Sequence, residues 1–146
     1  MMGRGSIWLT ERSVVVEPAR AIEQVACDQE RERLGLLAGE MVFRASGTRC
    51  QDGRFVVEDM VLPAALYPGL TRPVPSVSNL ARAFGLRLGE ANELVSIEMA
   101  SASNATALGV PKGTPVLKVD TVVYLHEGRP AAWRTVYSSN WIGPRG

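Results

Sequence analysis

The chain has 146 residues, of which 46% are apolar, and it carries 16 basic against 15 acidic side chains for a net charge of +1. That length and apolar fraction suit one domain with a real core and argue against a disordered chain. The even charge balance leaves no electrostatic footprint for nucleic acid, and no apolar run approaches the roughly 20 residues that span a bilayer.

Residues 1–12 show little periodicity, and Gly3-Arg4-Gly5-Ser6 reads as the end of a linker. Nothing there resembles the apolar block of a signal peptide. Val14-Val15-Val16 and the mostly apolar stretch 21–26 predict one or two strands, broken at Pro18. The charged run 28–33 predicts a short exposed helix, with Asp28 as its N-cap and Gly35 as its stop. Residues 40–49 and 54–62 predict a hairpin around Asp52-Gly53, a pair suited to tight turns. Pro63, Pro68, Pro73 and Pro75 then mark a loop.

Ser76 opens a helix whose Val77, Leu80, Ala81 and Phe84 share one face. Alternation over 93–101 predicts a strand with one buried face. A short helix over 104–108 follows, then a second hairpin, 114–125 with 130–138, around His126-Glu127-Gly128. Cys27 and Cys50 form no C-x-x-C and read as reduced thiols of a cytoplasmic protein, with Cys27 in the core. His126 is the lone histidine, which with two distant cysteines makes no zinc set.

One passage occurs twice. Leu34-Gly35-Leu36-Leu37-Ala38-Gly39 recurs as Leu108-Gly109-Val110-Pro111-Lys112-Gly113, 74 residues later, and Asp52-Gly53-Arg54 is answered by Glu127-Gly128-Arg129. Two copies are too few for a solenoid. The expectation is one α+β domain with pseudo-twofold symmetry, its hairpins forming an antiparallel sheet, its helices packed on that sheet, and a ligand cleft where the halves meet.

The run Ala107 to Leu117 followed by Gly128-Arg129-Pro130 resembles the C-terminal half of a UTRA domain, the effector-sensing module of GntR-family bacterial regulators of the HutC subfamily. The first copy agrees with it: Gly39-Glu40-x-Val42, Arg49, Asp52-Gly53, Glu58, Leu62-Pro63 and Tyr67-Pro68-Gly69-Leu70. Residues 3–8 are similar to the text that closes the winged helix-turn-helix of that family. The resemblance implies a chorismate lyase-like fold over 13–146, preceded by a linker over 1–12 from a DNA-binding domain absent from this chain. It implies a cytoplasmic homodimer that contacts DNA only through that missing domain.

The resemblance also marks positions. Arg49 matches a family position facing the cleft, where a guanidinium can hold a phosphate or carboxylate by two parallel bonds. Glu58 matches an acidic residue on the partner strand, able to accept from ligand hydroxyls or an amine, or to orient Arg49. Ser76 and Ser78 open the central helix, whose N-terminus suits an anion. Tyr137 matches a tyrosine of the last strand, expected on the same cleft, with Arg134 expected on the opposite face. Each also has a plain reading: a surface arginine, a solvated glutamate, an N-cap, a half-buried aromatic.

Gly47, Ala132 and Asn140 depart from the family pattern. Gly47 stands where a second arginine is common, which weakens the case for a phosphorylated sugar. No nucleophile–base set, metal set or phosphate loop is present. The sequence therefore favours a sensor of a small-molecule effector, an anionic one among the candidates, with no cofactor and no catalysis. A chorismate lyase-like enzyme is the alternative.

Overall fold

The computed structural model describes residues 13–17, 21–51, 54–70 and 76–139. Its strands are β1 (Ser13–Glu17), β2 (Ile22–Val25), β3 (Met41–Gln51), β4 (Arg54–Pro63), β5 (Leu88–Met99), β6 (Pro115–Leu125) and β7 (Pro130–Ser138). The helices are α1 (Asp28–Leu34), α2 (Val77–Ala83) and α3 (Ala102–Leu108), with a 3₁₀ turn at Ala64–Leu66. All strand pairings are antiparallel, in the order β1-β3-β4-β7-β6-β5, and β2 shares the outer edge of β3 with β1. The α+β class and the two hairpins are as the sequence implies. The Asp52-Gly53 turn lies outside the described residues, but Gln51 pairs with Arg54 across it.

Antiparallel register decides which side chains share a face, because paired residues point the same way and successive residues alternate. On one face Phe43, Ala45, Met60, Leu62 and Ala132 pack with Val77 and Leu80 of α2 and with the buried Tyr67, whose hydroxyl donates to the Ala131 carbonyl at 2.8 Å. This is the main apolar core. The helix over it starts as the sequence implies: the Ser76 hydroxyl accepts from the Asn79 N–H at 3.2 Å.

The other face carries α1 and α3, each set over a smaller cluster. Leu34 of α1 packs with Ala26 and Val42, bordered by Val61 and Trp133. Ala105 and Leu108 of α3 pack with Val57, Ala100 and Val116. Thus α1 lies on β7 and α3 on β4, leaving the middle of this face between them.

Three local expectations change. The N-cap of α1 is Cys27, not Asp28, and its thiol is exposed, not in the core. The Cys27 N–H instead donates to Glu30 Oε1 at 2.9 Å, a reach back from the third helical residue that caps the helix without a serine. Strand β5 is longer than expected and exposed on both faces along nearly its whole length. Among the described residues it pairs only with β6 and stays exposed on both faces, so its alternation does not mark a buried side.

Candidate functional site

Strand β4 divides the site residues. Glu58 and Asp59 are neighbours in sequence and therefore point to opposite faces. Glu58 stands on the α2 face. Arg49 reaches it from β3, where the register pairs Arg49 with Val56 and Gly47 with Glu58. Arg134 reaches it from β7, with Met60 paired to Arg134. The Arg49 guanidinium and Glu58 Oε1 are in direct contact, and Arg134 Nε lies 2.7 Å from Glu58 Oε2. One carboxylate thus bridges two guanidinium groups. The side chains of Arg134, Glu58 and Arg49 are 7%, 9% and 15% exposed.

Burial lowers the proton affinity of Arg134. Glu58 opposes that effect, the Arg49 charge adds to it, and Glu93 of β5 opposes it again. Two like charges close together and largely withdrawn from water are unfavourable for each other, so the cluster gains from a further negative charge brought beside them. Ser76 and Ser78 belong to α2 on this same side of the sheet, with Ser78 exposed.

Tyr137 is elsewhere. It pairs with Val57, while Glu58 pairs with Val136, so Tyr137 faces the α1/α3 side. The expectation of one cleft holding Arg49, Glu58 and Tyr137 is therefore corrected. Arg134, expected opposite, lies on the face of Arg49 and Glu58 and contacts the Glu58 carboxylate. The cause is register: counting along β7 alone gives the alternation but not which parity meets Glu58 across the β4–β7 seam.

Tyr137 lines a cavity of about 990 Å³ on the α1/α3 face. Its floor includes Thr48, Asp59, Thr135 and Lys118, and its walls include Gln29 of α1 and Asn104 of α3. Glu30 and Arg44 also border it, joined at 2.5 and 2.7 Å in a two-pronged pair. That pair, foremost through its hydrogen bonds, holds the Glu30 carboxyl below the usual carboxylate range. Lys118 contacts Glu98 at 3.0 Å and lies 6.0 Å over the Tyr137 ring. Burial pushes the Tyr137 phenol up.

At one end Asp120 accepts from Trp133 Nε1 at 2.7 Å and pairs with Arg33 at 3.3 Å. Among the described residues no group of three His, Cys, Asp or Glu side chains could hold a metal ion.

The model of the UTRA domain family matches residues 14–140. The chain belongs to the UTRA domain family. The UTRA fold is shared with solved structures of regulators. One is the ligand-binding domain assigned to a GntR-family transcriptional regulator of Bordetella bronchiseptica: 26% identity, TM-score 0.78, 92% of this chain and 86% of that one. Another is the effector domain of PhnF from Mycobacterium smegmatis: 21% identity, TM-score 0.76, 88% and 80% covered. A third is YydK from Bacillus subtilis, described as a transcriptional regulator: 16% identity, TM-score 0.76, 92% of this chain covered. This chain spans 60% of the length of YydK. These neighbours favour the regulator reading over the enzyme.

Proposed function

We propose that this UTRA domain senses a small anionic metabolite at the Arg49–Glu58–Arg134 cluster on the α2 face. The observation that carries the reading is the sharing of one buried carboxylate by two guanidinium groups, that of Arg134 buried and that of Arg49 half-buried. A buried ion cluster contributes little net stability, because desolvation offsets its attraction, so retaining it points to a use. A phosphate or carboxylate can take parallel bonds from a guanidinium, and Glu58 holds both arginines in place to receive it. The N-terminal turn of α2, with Ser76 and Ser78, borders the same side and is the proposed second wall.

The domain is read as non-catalytic and as part of a GntR-family, HutC-subfamily regulator acting in the cytoplasm. Among the described residues no helix is long and apolar enough to cross a membrane. DNA contact belongs to a winged helix-turn-helix domain outside these residues, to which residues 1–12 lead. The likeness of the β2-α1-β3-β4 and β5-α3-β6-β7 runs supports a pseudo-twofold fold.

Homodimerisation is supported by β5. Among the described residues it is an edge with no strand on its outer side, it exposes Leu94, Val95, Ile97 and Met99, and an antiparallel edge of this kind can pair with its own copy about a twofold axis. An effector then changes DNA binding only to the extent that it binds one dimer arrangement better than another.

Thermal melting of the chain with anionic metabolites and their neutral counterparts tests the site. A ligand at a hundredfold excess over its Kd adds about 2.7 kcal/mol, which moves the Tm by several degrees. Arg49→Lys keeps the charge but loses the two-pronged contact, and it is expected to abolish the shift. A Tm response confined to neutral ligands, or one unchanged in Arg49→Lys, overturns the assignment.

A further inference from the structure

We propose that the cavity between α1 and α3 is a second ligand site, set back to back with the Arg49 cluster, and that it takes a small organic cation. The ligand class is a primary amine that also carries a hydroxyl or amide group. At about 990 Å³ the cavity has the size of small-molecule sites.

Its charged side chains are settled except one. Arg44 is committed to Glu30 by two bonds. Lys118 is balanced by Glu98. Asp59 accepts from the Ser46 hydroxyl and makes no ion pair among the described residues. The charge left facing the cavity is therefore the Asp59 carboxylate.

Two hydroxyls point to the same conclusion independently. Thr48 and Thr135 line the cavity, are only 9% and 8% exposed, and have side chains that make no hydrogen bond among the described residues. Neither hydroxyl oxygen is itself a buried unsatisfied atom, so both stay reachable from the cavity and offer a donor and an acceptor to a bound polar molecule. Across the register Ser46 pairs with Asp59 and Asp59 with Thr135, so these three form one transverse polar row, with Thr48 in the next row on the same face, paired with Val57. An ammonium group at Asp59 with a hydroxyl or amide beside Thr135 or Thr48 matches that row. Arg49, Glu58 and Arg134 take no part, since they lie through the sheet on the α2 face.

The test is an amide-resolved NMR titration of the whole chain with 4-aminobutan-1-ol and, as its uncharged counterpart, butane-1,4-diol. The amine is expected to give saturable shifts at Ser46, Asp59, Thr135 and Tyr137 at millimolar concentration, and the diol none. Asp59→Asn, nearly isosteric, is expected to weaken the amine by at least roughly tenfold, as for a lost hydrogen bond to a charged group. Thr135→Val should weaken it several-fold. Arg49→Lys should leave it unchanged, which separates this site from the anion site. Equal shifts with the diol, no saturable shift with the amine, or full affinity in both Asp59→Asn and Thr135→Val would overturn the proposal.

Discussion

The segment from α1 into β3 and the segment from α3 into β6 build the same local structure from different side chains. Each helix has seven residues, Asp28–Leu34 and Ala102–Leu108, and each following strand has eleven, Met41–Gln51 and Pro115–Leu125, with every boundary 74 residues apart. The backbone bonds repeat at the same interval. Leu36 N–H donates to the Arg31 carbonyl at 2.9 Å and Val110 N–H to that of Ala105 at 3.0 Å. Ala26 N–H donates to Glu40 and Ala100 N–H to Thr114, at 2.9 and 2.8 Å.

What differs is the chemistry on the helices and the edge beside them. Helix α1 is charged and joins β3 through Glu30, whereas α3 has Asn104 at the equivalent place. The edge strand before α1 is the short β2, and the one before α3 is the twelve-residue β5. Backbone geometry therefore does not depend on the charges. The charges set what each copy can bind and how it responds to pH.

The largest effect expected from this comparison is in the apolar anchors. Leu34 and Leu108 end their helices and are 2% and 4% exposed. Leu34→Ala and Leu108→Ala should each cost about 3 kcal/mol, the usual size for a buried leucine truncation, read as a loss in the urea midpoint at unchanged m-value. A cost below about 1 kcal/mol at one site and not the other would mean that only one of the two helices is held by its last leucine.

Much of this fold is legible in the chain because its signals are local. Gly35 and Gly109 stop helices, Ser76 caps one, and turn residues separate the hairpin strands. The faces are less legible. Tyr137 and Arg134 exchange sides relative to expectation because β4 and β7 are far apart in sequence, and no turn between them fixes their register. The exposure of β5 is a matter of strand order: its alternating Val95, Ile97 and Met99 look like the inner face of a half-buried strand until it proves to be an edge. Cys27 misleads for a related reason, since an apolar stretch ends there and a helix N-cap faces solvent. Asp59 and Thr135 carry no motif, and only their pairing across β4 and β7 brings them into one row.

The next effect concerns pH and belongs to the Glu30–Arg44 pair, which α3 lacks at the equivalent place. Because Arg44 lowers the Glu30 carboxyl in the fold, this pair stabilises the native state above the carboxyl's unfolded value, and the contribution fades as pH falls through the folded one. Glu30→Gln should cost about 2 kcal/mol at neutral pH, as for a hydrogen bond to a charged group. It should also flatten the acid limb of a urea-midpoint profile below that unfolded value. Asn104→Ala at the equivalent position should leave the shape of that limb as it is. An acid limb equally steep in Glu30→Gln would place the acid sensitivity in other carboxylates.

The smallest effect tests the shared device itself. Gly35 and Gly109 both sit in the left-handed region, at φ 64° and ψ 37° and at φ 73° and ψ 33°. A Cβ at Gly35 would meet Pro130 at an ordinary 3.9 Å, and one at Gly109 would meet nothing within 4 Å. Neither position is closed by sterics with neighbours, so the cost of alanine there is that of the backbone conformation, about 1 kcal/mol. Gly35→Ala and Gly109→Ala should therefore destabilise by the same amount, and asparagine, which tolerates this region better, by less. A gap of more than about 1 kcal/mol between the two alanine variants, far above the scatter for equivalent sites, would show that the two turns are held by different forces despite their common geometry.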